Sequence, residues 1–457
     1  MRRTIVLSVI GIATFCFVFF GMGLFSPVAP AVPAFARKTG LACSACHEVW
    51  PRLNDFGQLF RDRGYRLDRD RDKPVDQDGS YWPLAMRTTV GYQWLRQTLV
   101  PADSGTTDTQ TGTFGFTGLD VFAAGALGDH LSTLITFTPG LGQSGFQTAP
   151  NPGDTDLESA FIGFHDILGT PYLNLRVGKE APDLPIDEHR SITLTTGYNI
   201  YHFHPQGSVV TWEPGENQSG VEVYGHSDLD RFRYSFSFVN ENDASLFSST
   251  LVSNPVVWGH VTYEQYLDNP VLAAVKVGLF GNMGWHAVNA LTLTSPPPDG
   301  SPAGTPGTAT PIPGTAFGMK TYTRYGGEVH LYLLNTVNPL YISGILWGGS
   351  EDKALIAGGD QDASFLGGTV EGVWNITPRA AVIARWEHIV TTQQGVSTAP
   401  QNAGDLTAFT AVFRHTFELT SRTEAALHVE FSRTAIDAGD GTVPVTWAGL
   451  LGFDFAL

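Results

Sequence analysis

Cys43-Ser44-Ala45-Cys46-His47 is the stretch of this chain whose residue types and spacing most directly specify chemistry. Two thiols three positions apart can bond the two vinyl groups of a haem, and the imidazole that follows the second thiol can take an axial position on the iron. The sequence holds 3 cysteines, and the third, Cys16, lies in an N-terminal apolar run. A structural zinc site needs four ligands, and no second cysteine pair follows. A thioredoxin-like dithiol sits in a βαβ setting, which the flanking residues do not resemble. Zinc and dithiol chemistry stay as the alternatives to one covalent haem c on Cys43 and Cys46 with His47 as the proximal ligand.

A distal ligand has to come from elsewhere. Beyond the N-terminal run the methionines are Met86, Met283 and Met319, and Met86 is nearest the motif, which makes it the first choice for a Met/His pair. His189, His202 and His204 are the alternative ligands, with water or an open position after them. Asp183, Asp187 and Glu188 are candidate guides for a cation. Electron transfer at a haem needs no acid–base residue, so no catalytic side chain is assigned.

The elements that must hold these groups divide the chain in three. Residues 1–36 read as a secretory signal, with Arg2 and Arg3 before the apolar stretch and Ala34-Phe35-Ala36 as a small-x-small cleavage site. Residues 37–80 form a small head. It is basic, with nine Lys/Arg against six Asp/Glu over residues 37–73, whereas the rest of the exported chain is strongly acidic. Leu53, Phe56 and Phe60 at i, i+3, i+7, with Pro51 in a first turn and Gly64 as a stop, predict a short amphipathic helix. So small a module needs a staple and a partner surface.

Residues 81–457 alternate with period two. In Arg231–Asn240, for example, Phe232, Tyr234, Phe236 and Phe238 share one face, with Arg233, Ser235 and Ser237 on the other. About sixteen such runs, joined alternately by short turns and longer polar loops, predict an all-β transmembrane barrel of antiparallel strands. An even count puts both ends, and the head, on the periplasmic side. Tyr92, Trp94, Trp258, Trp285, Trp347, Trp374, Trp386 and Trp447 are expected in interfacial girdles. A propeller or sandwich would also have many short strands, but no blade-like repeat is present. Ser295 to Gly314 reads as an outer loop, and the connection from Glu180 to Gln218 is long enough to fold into the lumen and carry function.

Residues 35 to 66, from Phe35-Ala36-Arg37-Lys38-Thr39-Gly40-Leu41-Ala42 through the cysteine motif to Pro51-Arg52-Leu53-Asn54-Asp55-Phe56-Gly57 and Gly64-Tyr65, resemble the head of the fused monohaem cytochrome c and porin proteins of the outer membrane. The best-known members oxidise ferrous iron. The resemblance implies haem c on Cys43 and Cys46, His47 on the iron, and electron transfer across the outer membrane. Expected partners are an extracellular donor, Fe2+ first among them, a periplasmic cytochrome or other carrier, and membrane lipid. The acidic bulk argues against nucleic acid. Two readings stand beside this one: a diffusion porin plugged or gated by a haem module, and a conduit serving a donor other than iron.

Overall fold

The computed structural model describes residues 34–39, 41, 43–67, 83–99, 107–138, 156–227, 231–241, 254–288, 318–333, 338–356, 361–392, 404–420, 423–437 and 443–456. The expected signal up to residue 33, the Ser295 to Gly314 loop and the join between head and barrel lie outside these residues.

Alternating side chains leave a strand with one apolar and one polar face, and a closed barrel sends the first to lipid and the second to the lumen. Sixteen antiparallel strands do this here, β3 (Leu84–Leu99) through β18 (Val445–Ala456), and the barrel closes where β18 pairs with β3. In β9 (Phe232–Asn240), Phe232, Phe236 and Phe238 are exposed outward while Ser235 and Ser237 are buried inward, as the alternation predicts. No helix among the described residues is long and apolar enough to span a membrane.

The aromatic girdle needs one correction. Tyr92, Trp374 and Trp386 face outward, but Trp258 and Trp347 are 0 % exposed and point into the lumen. There they meet the connection between β7 (Asn174–Glu180) and β8 (Gln218–His226). Leu184, Ile186, Tyr198, Ile200, Tyr201, Phe203, Val210 and Trp212 of that connection form one apolar core with Trp258, Phe280, Tyr322, Ile345, Trp347 and Phe365 of the wall. Trp258 stacks on Trp347 with ring centroids 5.9 Å apart, and its indole Nε1 donates to the Asp183 carbonyl at 3.0 Å. An aromatic core of this kind occupies the lumen at that level.

The head lies within the same barrel. It comprises α1 (Ala34–Thr39), α2 (Cys43–Cys46), a two-strand hairpin of β1 (His47–Val49) and β2 (Arg52–Leu53), and α3 (Asp55–Asp62). The expected helix from Pro51 begins four residues later. Pro51 sits in the hairpin turn, and the Asn54 side chain caps α3 by accepting from the Gly57 N–H at 2.9 Å. Gly64 ends the helix with φ of 71°, a left-handed conformation suited to glycine.

Charge pairs hold the head to the wall. Arg52 meets Glu371 at 2.5 Å, Arg233 meets Asp62 at 2.6 Å, Arg61 pairs with Glu180, and Tyr332 donates to Asp55 at 3.2 Å. Trp50 lies under two guanidinium groups, Arg87 at 5.0 Å and Arg414 at 5.2 Å from its centroid. Asn375, two residues before the end of β14 (Ala363–Thr377), donates to the Glu48 carbonyl at 3.0 Å. Tyr332 and Asn375 both stand near short-turn ends of their strands, so the head occupies the periplasmic half and the aromatic plug the outer half.

Candidate functional site

The cysteine motif folds as one helical turn whose carbonyls are taken up by the residue that caps the next helix. The Asn54 N–H donates to the Cys46 carbonyl at 2.9 Å, and its side-chain amide donates to that of Ala45 at 3.0 Å. Gly57 completes the fit, because a Cβ there would lie 2.1 Å from the Cys46 carbonyl oxygen. Asn54-Asp55-Phe56-Gly57 therefore works as a clamp that sets the angle between motif and α3.

His47 follows directly, and its Nδ1–H donates to the Pro51 carbonyl at 2.9 Å. That bond selects the tautomer with a free lone pair on Nε2, the arrangement typical of a metal-bound imidazole. Burial, the largest influence, pushes the His47 pKa down to about 4, so the ring is neutral at pH 7, the form able to bind a metal. Burial also raises the pKa of the Cys46 thiol. The Cys43 side chain lies outside the described set.

Cys46 and His47 line a cavity of about 350 Å³ between the head, the wall and the start of the β7–β8 connection. Such a volume is in the range of cofactor sites. Leu53, Phe56 and Phe60 contribute an apolar side, and Phe56 is 42 % exposed toward it. Phe60 packs against Phe35 and Tyr65, which also line the cavity, with ring centroids 5.1 and 6.0 Å away.

Of the four distal candidates, His189 alone lines this cavity. It sits on the 3-10 turn Glu188–Arg190. Met86 is 37 % exposed on the outward face of β3, beside inward Ala85 at 1 %, and so points to lipid and away from His47. One residue of strand parity separates Met86 from the lumen. His202 donates from Nδ1 to Glu213 at 2.5 Å and from Nε2 to Glu188 at 2.8 Å. Burial opposes its charge, but those carboxylates outweigh burial and hold its pKa well above the ordinary range. His204 is shared between Glu213 at 3.3 Å and Arg324 at 3.2 Å. Neither imidazole reaches the cavity.

Of the acidic guides, Asp183 and Asp187 line the cavity and Glu188 does not. Asp183 accepts from His260 at 2.8 Å, Asp187 pairs with Arg190, and Glu188 belongs to the His202 group. Sequence reading missed Arg52, Glu371, Glu213 and Glu216. Inward parity along β14 and the Glu213-Pro-Gly-Glu216 turn were the signals available for the last three.

The closed pairing, outward apolar belt and polar, plugged lumen define a porin-like β-barrel of the bacterial outer membrane. No family model and no curated protein matches the chain. Among solved structures, the anion-selective porin from Comamonas acidovorans aligns over 82 % of this chain and 99 % of its own, at 11 % identity and a TM-score of 0.48. OprB of Pseudomonas putida at high pH aligns over 82 % and 94 %, at 12 % identity and a TM-score of 0.45. Salmonella typhi OmpF in complex with daunomycin aligns over 82 % and 97 %, at 10 % identity and a TM-score of 0.43.

Proposed function

We propose that this outer-membrane barrel is a c-type cytochrome that carries electrons from an extracellular donor, Fe2+ in the first instance, to a periplasmic carrier through one haem. The observation that carries the reading is the pairing of Cys46 and His47 on one cavity wall, with His47 Nδ1 tied to Pro51 and its other nitrogen free. Cys43 and Cys46 would hold the haem, His47 would be its proximal ligand, and His189 would be the distal candidate. Bound there, the haem supplies a one-electron couple; the chain supplies access and shielding. Leu53, Phe56 and Phe60 exclude water from one side, and the Arg52–Glu371 pair fixes the head against the wall.

Export by a signal at residues 1–36 and a head spanning 37–80 belong to the same proposal. Cleavage after Ala36 would remove Phe35 from the bracing of Phe60, which N-terminal sequencing of the purified protein can check.

The membrane-spanning band of such a barrel is about 25 Å tall. A head seated in the lumen shortens the distance from an outside donor, which a head hanging below the barrel would not. The decisive experiment adds Fe2+ anaerobically to the oxidised protein. Reduced haem bands support the reading, and none, with dithionite still effective, sinks it.

A diffusion porin gated by the head is the second reading, favoured by the porin-like barrel itself. The buried Trp212, Trp258 and Trp347 core speaks against an open pore. Planar-bilayer conductance separates the two, since large open-porin currents through the haem-loaded protein would favour diffusion.

A further inference from the structure

The connection that fills the lumen carries a second group of ligand-type side chains, distinct from the cavity lined by His47. His202, Glu213 and Glu216 each place one ligand atom so that all lie within 4.8 Å of one another. His202 closes a short helix, Asn199–His202, and Glu213 and Glu216 flank the Pro214-Gly215 turn, in which the Glu216 N–H donates to the Glu213 carbonyl at 3.0 Å. Glu188 approaches the same imidazole from the 3-10 turn.

Glu188 provides a separate observation. One oxygen accepts from His202, while Oε2 is buried with no hydrogen-bond partner among the described residues. The backbone leaves room for it, since a Cβ on Gly197 or Gly215 would come within 2.1 and 2.0 Å of the two Glu188 oxygens. A buried carboxylate oxygen without a donor is costly unless something positive meets it. Glu188 and Glu213 bond His202, Glu213 also reaches His204, and His204 is already shared with Arg324.

The geometry points to a binding site for one divalent first-row transition cation, formed by His202, Glu213 and Glu216, with Glu188 bonded to Nε2 of the same imidazole. Carboxylates alone would suit Ca2+ or Mg2+; an imidazole among them shifts the preference toward Fe2+, Co2+ or Zn2+. Without the metal, a proton on His202 holds the carboxylates together, and metal binding displaces it. Glu188 precedes His189, which lines the haem cavity, so the two sites are joined through the Glu188–Arg190 turn. The role of the cation site as the donor site rests on the electron-transfer reading above. An Fe2+ ion held there would pass one electron to the oxidised haem and leave as Fe3+.

The test titrates the purified full-length, haem-loaded protein in detergent with Co2+ by calorimetry. One Co2+ per chain, undisturbed by equimolar Ca2+, is expected. Glu213→Gln and Glu216→Gln should each weaken it about tenfold or more, the scale on which metal sites respond to loss of supporting groups. Glu216 is exposed, so its variant keeps the test available if Glu213→Gln does not fold. No Co2+ uptake, displacement by Ca2+, or unchanged affinity in both variants overturns the site. Anaerobic Fe2+ then tests the donor role: haem reduction should slow about tenfold in Glu216→Gln while dithionite reduction is unaltered. An unchanged Fe2+ rate with Co2+ binding lost overturns that role and leaves the cation site standing. Wild-type protein that binds Co2+ but is not reduced by Fe2+ overturns the electron-transfer reading instead.

Discussion

Arg52 of the head and Glu371 of the wall stand 319 residues apart in sequence and 2.5 Å apart in space. Their side chains are 12 % and 2 % exposed, and Glu371 also accepts from the Tyr198 hydroxyl at 2.8 Å. One carboxylate thus joins the head, the barrel and the lumenal connection, and the two flanking groups fix its orientation.

Removing one member of that pair strands a buried charge. Arg52→Met should destabilise head docking by about 3–5 kcal/mol, and the double variant Arg52→Met/Glu371→Met should recover much of it. Limited proteolysis of residues 37–80 measures the effect; equal protection in wild type and Arg52→Met would refute it.

In the proposed cytochrome, haem attachment and axial ligation are separable. Cys46→Ala should lose one thioether, and His47→Ala should alter the haem spectrum by removing the proposed proximal ligand. His189→Ala should alter the spectrum while Met86→Ala leaves it unchanged, because His189 lines the cavity and Met86 faces lipid. Optical spectra of the four variants decide the matter.

The plug can be opened from within. Trp212 is 0 % exposed, packed 6.0 Å from Trp258 and 6.4 Å from Tyr322. Trp212→Ala should cost about 3–5 kcal/mol by cavity formation. Bilayer conductance should rise above wild type, and an unchanged value would show that the core does not close the lumen.

Acid should release the head. Burial favours the neutral form of Asp62, but Arg233 and Arg61 outweigh it and lower its pKa below the ordinary 3.8. A carboxylate depressed in the folded state contributes stability above its ordinary pKa and loses it as pH falls through the folded value. Protection of the head against an acid-active protease should therefore fall below pH 3.8, and Asp62→Asn should flatten that dependence while lowering protection at neutral pH.

Much of the architecture was legible from local pattern. Phe232, Phe236 and Phe238 alternate with Ser235 and Ser237 because a pleated strand has two faces, and repeating that pattern about sixteen times specifies a barrel without any knowledge of partners. The helix start was misread for an equally local reason. Pro51 suits a first helical turn, but Asn54 offers a side-chain cap four residues before Gln58, and the capped start prevailed.

The expectation of haem rests on two cysteines and a histidine in consecutive residues, so it can be stated without any knowledge of the fold. What stands across from His47 cannot be. Parity assigns a side chain to lumen or lipid only once the strand register is set, which is why Met86 led in sequence and His189 meets the cavity in space. Trp258 and Trp347 carry the composition of a membrane girdle, yet closure of the barrel around the β7–β8 connection turned them into its core. By itself the sequence determined the haem-type motif, the strand period and the polarity of each face, because these depend on neighbours along the chain. The tertiary structure decided which groups confront one another across the lumen, because barrel closure and the inward fold of one long connection bring together residues that no local spacing relates.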